Sequence, residues 1–185
     1  MEPDLETTKP MLPVRISIYH AAQDDPKKNT ALRLKRRGLA RIVTRVRFLP
    51  KRAIVLNPFG EIAFSPADRE RIEQFGLAAL DCSWEHAQKV MGKHVRGTSR
   101  CLPILIAGNP VNFGKFTKLT TAEALAAALY IAGFKEESEQ LLSIFTWGHT
   151  FFELNEVLMD NYAATKDSSE IVEVQNRLLK GKKCE

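Results

Sequence analysis

Two apolar runs, Leu77 to Leu80 and Leu102 to Ala107, each break off abruptly at polar and turn-forming residues. The first gives way to Asp81-Cys82-Ser83-Trp84, the second to Gly108-Asn109-Pro110-Val111-Asn112-Phe113-Gly114. Short apolar runs bounded in this way read as buried strands. A chain with two such strand ends is pressed to bury both runs together, which brings their polar ends to one cleft. That cleft is the expected active site.

The remaining signals fit a sheet with helices. Val14 to Tyr19 alternates and is β-branched, so it reads as a strand. After a polar loop over His20 to Lys28, Asn29 or Thr30 can cap a helix from Ala31 to Arg37 that Gly38 stops. Leu39 to Phe48 reads as a basic amphipathic strand region, Ala53 to Asn57 as a short buried strand, and Ile62 to Phe64 as a strand fragment. Ser65-Pro66-Ala67-Asp68 sets a cap, a proline and a first-turn acid before a helix to Phe75. Ser83 caps a short helix to Met91, and Gly92 to Arg100 reads as a basic linker.

Past Gly114 the pattern turns helical. Thr120-Thr121-Ala122-Glu123 is a capping box opening an alanine-rich helix that Gly133 closes. Further helices are expected over 136–145, 150–163 and 169–179. The expected architecture is therefore α/β. A mostly parallel sheet with flanking helices occupies residues 1–101, a mainly helical part occupies 102–185, and a ligand cleft lies between them at the carboxyl ends of the strands.

With 185 residues, 44% of them hydrophobic, the chain can bury a core without a metal or a disulfide. It shows neither a membrane-length apolar run nor a secretory leader, and a cytoplasmic protein is expected. Cys82, Cys101 and Cys184 are too far apart for a zinc cage, so no metal is expected. A Cys82–Cys101 disulfide is left open.

Charge is more informative. The net +5 conceals a block, Lys27, Lys28, Arg33, Lys35, Arg36, Arg37, Arg41, Arg45, Arg47, Lys51 and Arg52, with no acid inside it. Elsewhere the chain holds 16 bases against 22 acids. Such a block is either a phosphate-binding surface or an ordinary solvated one.

At the strand ends, Asp81 can accept a proton, hold a ligand amine, or simply cap the helix that follows. Trp84 offers an aromatic face for a nucleobase or a sulfonium, or packs in the core, and Ala87 one turn on could leave an apolar slot beside it. Thr30 can bind a ligand carboxylate or cap its helix. Amides at the Thr120 helix start could receive an anion. His149 precedes a helix and reads as chemical or as packing. No phosphate-loop or dinucleotide fingerprint, hydrolytic triad or spaced acid pair occurs.

Several stretches together resemble one family. They are Asp25-Pro26-Lys27-Lys28, Ser65-Pro66 with Asp68, Asp81-Cys82-Ser83-Trp84, Leu102-Pro103, Ala107 with Asn109 to Gly114, Glu123-Ala124-Leu125-Ala126-Ala127, and Trp147-Gly148-His149 with Glu153 and Asn155. In order and kind they are similar to the archaeal and eukaryotic aminocarboxypropyltransferases of small-subunit ribosomal RNA. The chain departs from that family at His20 to Gln23 and at Asn29, where a cysteine is common.

The resemblance implies transfer of the 3-amino-3-carboxypropyl group of S-adenosylmethionine to a pseudouridine, often already N1-methylated, with 5′-methylthioadenosine released during ribosome biogenesis. It also implies a SPOUT-like trefoil knot in the C-terminal half and a monomer. It places Thr30, Leu80, Trp84, Ala87, Leu102, Thr117, Thr121 and Ala122 around the donor and Asp81 at the chemistry. The basic block, with Lys93, Arg96 and Arg100 on the other rim, would track RNA phosphates. The alternatives are a SPOUT-type RNA methyltransferase and a non-enzymatic ribosome-assembly RNA binder.

Overall fold

The computed structural model describes residues 12–21, 29–91 and 95–181, with the backbone alone at positions 84, 90, 91 and 181. Within them five strands form one sheet: β1 (Ile16–His20), β2 (Arg41–Val43), β3 (Ile54–Leu56), β4 (Leu77–Asp81) and β5 (Thr98–Arg100). Their order is β2-β1-β4-β3-β5, and every pairing is parallel. The helices are α1 (Thr30–Arg36), α2 (Arg69–Phe75), α3 (Trp84–Met91), α4 (Thr121–Ile131), α5 (Lys135–Leu142), α6 (Gly148–Ala163) and α7 (Ser168–Gly181).

Period-two alternation sorts the strand residues between two faces. Ile16, Ile18, Ile54, Leu56, Leu77 and Ala79 join the larger apolar cluster, while Tyr19, Val55 and Ala78 join a smaller one opposite. Both faces are covered, which is why these strands read as continuous apolar runs. The larger cluster runs on through Leu105 and α4 to Ile171 of α7, so the N-terminal sheet and the C-terminal helices share one core. From Leu125 to Ile131, α4 is buried on all sides, and its alanines let the helix lie close to β4 and α1.

The connections set where a ligand can go. From β1 the chain passes through α1 to β2 at one edge; from β4 it passes through α3 to β5 at the other. Neighbouring strands whose connections diverge leave a crevice beyond their carboxyl ends. The register pairs His20 with Asp81 at that point.

Local caps follow the sequence with some shifts. Asn29, not Thr30, caps α1, its Oδ1 accepting from the Leu32 amide at 2.9 Å. A 3₁₀ turn over Pro66–Asp68 precedes α2, with the Ser65–Asp68 box in place. Ser83 Oγ accepts from the His86 amide at the start of α3. At Gly76, which joins α2 to β4, φ is +87° and a Cβ would lie 2.5 Å from the Arg15 carbonyl oxygen, so only glycine fits.

Four expectations need correction. Residues 98–100 belong to the sheet as its edge strand β5 and are not linker. Only Arg41–Val43 of the 39–48 region is a strand, followed by a 3₁₀ turn at Val46–Phe48. Ile62 to Phe64 contributes a single bridge, Ala63 with Cys101.

The largest difference is at Leu102 to Ala107, which adds no strand to the sheet. Helix side chains supply the hydrogen bonds that a neighbouring strand would have given. Asn155 of α6 accepts from the Ile106 amide and donates to the Ile106 carbonyl, both at 2.7 Å. Gln175 of α7 accepts from the Ile104 amide at 2.8 Å, and the Tyr162 hydroxyl donates to the Ile104 carbonyl at 3.2 Å. The other edge is met by the returning loop: the Ala107 amide donates to the Lys115 carbonyl, and the Thr117 amide to that of Leu105. An apolar run predicts burial, but its pattern cannot say whether strands or side chains satisfy its backbone.

Candidate active site

A cavity of about 690 Å³ opens at the switch point between β1 and β4. Strand ends supply Leu56, Asn57, Leu80, Asp81 and, past β5, Leu102; helix starts supply Asn29, Thr30, Thr120 and Thr121; the 109–119 loop adds Asn109, Val111 and Thr117. Its volume lies within the range of about 300–1,000 Å³ usual for small-molecule sites.

Asp81 is held in this cavity from three sides. Its Oδ2 accepts from His20 Nδ1 at 2.6 Å and from Asn29 Nδ2 at 2.8 Å, and its Oδ1 accepts from Thr121 Oγ1 at 2.8 Å. With 11% of its side chain exposed, the carboxylate is held by β1, by the cap of α1 and by the first residue of α4. Three donors fill three of its roughly four lone-pair positions. Asp81 is therefore not the helix cap that sequence position alone allows. His20 and Asn29 were not foreseen as its partners; strand register, visible only when β1 and β4 are aligned, is what joins them.

A second carboxylate, Glu123, builds the cavity wall from beneath. Fully buried, its Oε1 accepts from the Gly108 and Asn109 amides at 2.7 and 2.9 Å. Its Oε2 accepts from Asn109 Nδ2 at 2.8 Å, from the Thr120 amide at 2.7 Å and from the Thr120 hydroxyl at 2.9 Å. The capping box expected from sequence is thus extended into a clasp for the 108–120 loop. Within that loop Thr117 has φ +59°, a costly conformation for a β-branched residue, and it sits on the cavity wall.

The thiols beside this site are suppressed. Cys82 and Cys101 both line the cavity and both are free, so no disulfide joins them. Burial, and then the adjacent Asp81 charge, push the Cys82 thiol up to about 11. Burial raises Cys101 as well. Neither is an activated nucleophile. Among the described residues no group of three His, Cys, Asp or Glu could hold a metal.

The residues expected around a donor gather here in large part. Thr30, Leu80, Ala87, Leu102, Thr117 and Thr121 line the cavity. The Ala122 side chain is buried in the core, so it is only the main chain of this second residue of α4 that lies at the helix start. Trp84 opens α3, but its side chain lies outside the described residues. His149 is exposed at the start of α6 and takes no part in the cavity lining.

The expected RNA contacts divide. Arg36, Arg37, Arg41, Arg45, Arg47, Lys51, Arg52 and Arg96 are exposed. Arg33 instead donates to the Ile144 carbonyl at 3.1 Å and lies over the Phe145 ring. Arg100 pairs with buried Asp68 at 2.9 Å. Lys27, Lys28 and Lys93 lie outside the described residues.

Fold and cavity together define an α/β protein with a cavity of small-molecule size at the carboxyl edge of a parallel sheet, beside an exposed basic segment. Comparison with known proteins narrows this. The family described as "Ribosome biogenesis protein, C-terminal" matches residues 54–179. A 16S rRNA aminocarboxypropyltransferase of Methanosarcina acetivorans is 48% identical over 168 residues, covering 90% of this chain and 95% of the relative. The enzyme of that name from Methanocaldococcus jannaschii is 43% identical, covering 90% and 96%. Among solved structures, the SAM-dependent rRNA:acp-transferase Tsr3 from Vulcanisaeta distributa superimposes with a TM-score of 0.79 at 39% identity, covering 91% of this chain and 97% of that one. The chain belongs to the 16S rRNA aminocarboxypropyltransferase family.

Proposed function

We propose that this protein transfers the 3-amino-3-carboxypropyl group of S-adenosylmethionine to a pseudouridine, N1-methylated or not, of small-subunit rRNA, releasing 5′-methylthioadenosine. The observation that carries the reading is the Asp81 carboxylate, pinned by three donors at the wall of a cavity large enough for a nucleoside. Relatives named 16S rRNA aminocarboxypropyltransferase align over about 90% of the chain.

S-adenosylmethionine supplies a sulfonium with three carbons open to attack, and its orientation decides which one is transferred. Leu80, Ala87 and Leu102 form apolar walls suited to the nucleoside and the methyl group; Thr30, Thr121 and the α4 amides suit the polar amino-acid end. Trp84 completes the methyl side in this reading. The acceptor is an imide nitrogen that must lose a proton as its bond to carbon forms. Asp81, with one lone-pair position left, takes that proton.

The reading assigns residues 1–101 to RNA through their basic segment and residues 102–185 to closing the donor cavity. Family resemblance supports a SPOUT-like trefoil knot in the C-terminal half, a monomer, and work in the cytoplasm. No described helix is long and apolar enough to cross a membrane.

Nucleoside mass spectrometry tests the acceptor. A small-subunit RNA carrying pseudouridine at the target gains the aminocarboxypropyl mass, and the same RNA with uridine there stays unmodified. Equal modification of the uridine RNA would contradict the assignment.

A further inference from the structure

On the 109–119 side of the cavity, three apolar side chains face solvent within six residues: Val111 is 83% exposed, Phe113 60% and Phe116 47%. Val111 also lines the cavity. Exposed Lys115 lies between the two rings, and exposed Lys118 follows them. Solvated aromatic rings are costly, and they are held out here by a rigid support. Glu123 clasps Gly108 and Asn109, Asn109 Oδ1 accepts from the Asn112 amide at 3.0 Å, and the Gly114 amide donates to the Ala107 carbonyl at 2.8 Å. At Gly108 a Cβ would fall 2.7 Å from the Phe151 backbone, so the root of the loop is seated directly on α6.

A pinned loop carrying apolar rings and ammonium groups at the mouth of a base-accepting cavity has the chemistry of a single-strand nucleic-acid platform. Rings stack on unpaired bases and lysines meet the intervening phosphates. A protein partner would have to set acidic groups against these lysines and apolar groups against the rings, whereas an RNA strand carries phosphates and bases in that alternation by its nature. We propose that the 111–118 loop stacks on an unpaired nucleotide flanking the target, with Phe113 as the stacking ring and Lys115 on the adjoining phosphate. This rests on the reading of the cavity as the site of rRNA modification, and it adds a binding surface separate from the Lys27–Arg52 segment.

The test measures affinity for a target hairpin RNA at several salt concentrations, with S-adenosylmethionine affinity measured separately by calorimetry. Phe113→Ala and Phe113→Leu are expected to weaken RNA binding about tenfold each, while Phe113→Trp retains it. S-adenosylmethionine affinity stays unchanged in all three. Lys115→Ala is expected to lower the salt slope by about 0.7–0.9, which the Phe113 variants do not. Full RNA affinity in Phe113→Leu would mean an apolar contact without stacking and would overturn the proposal, as would full affinity in Phe113→Ala. Failure of the wild-type protein to bind the RNA would instead bring down the functional reading itself.

Discussion

The proposed role of Asp81 as proton acceptor depends on its position, and the residues that fix it do not announce themselves. An acid at a strand end is ordinary; one that receives a histidine, an asparagine and a threonine from three different elements is not. Asp81→Asn is expected to lower kcat by about 10²–10⁴ while changing S-adenosylmethionine affinity less than about threefold, since the lost function is proton acceptance in the transition state. Steady-state kinetics beside calorimetry checks this, and an intact kcat would remove Asp81 as the base. The neighbouring thiol gives a pH-dependent readout. Burial, and secondarily the Asp81 charge, raise Cys82 from an ordinary 9.0 to about 11. Its contribution to stability is complete below about pH 9 and is lost as pH rises towards 11, because the unfolded chain ionises first. Alkylation of Cys82 in the folded protein should follow a titration centred near 11, and a midpoint near 9 would place the thiol in water. Asp81 and Thr30 could be picked out from sequence by their place at element ends, and Thr121 through the family resemblance. His20 and Asn29 could not be linked to Asp81, because that link needs the β1–β4 register.

At the scale of elements, strand and helix periodicity located the central sheet and α4, and the Thr120–Glu123 capping box was legible as it stands. The run at 102–107 misled for a physical reason. Apolar residues bounded by glycine and proline signal a buried extended segment, and this segment is buried and extended, but Asn155, Gln175 and Tyr162 take the place of a partner strand. Nothing local in the run records that substitution. It also makes α6 the support of the cavity wall. Asn155→Leu strands the Ile106 amide and carbonyl, at about 1–3 kcal/mol each, so a loss of about 2–6 kcal/mol in denaturant unfolding is expected. A loss below about 1 kcal/mol would show that the segment finds other partners.

At the scale of the molecule, the chain places an exposed basic segment on α1, β2 and the turns after it, beside a cavity formed by strand ends and the start of α4. The charge block was plain in the sequence, but which of its members face outward was not. Arg33 is spent on Phe145 and Ile144, and Arg100 on Asp68. Arg37→Glu with Arg41→Glu should flatten the dependence of RNA affinity on salt by about 0.7–0.9 for each phosphate no longer neutralised, and an unchanged slope would make those arginines ordinary solvated surface. All of this presupposes that the long arm of the donor, not its methyl group, is delivered to RNA. Parallel reactions with S-adenosylmethionine labelled in its carboxyl carbon or in its methyl group, followed by counting the purified small-subunit rRNA, test that directly. The account predicts carboxyl label in the RNA and methyl label in the released thioether; methyl label in the RNA, with the carboxyl label left in solution, would contradict it.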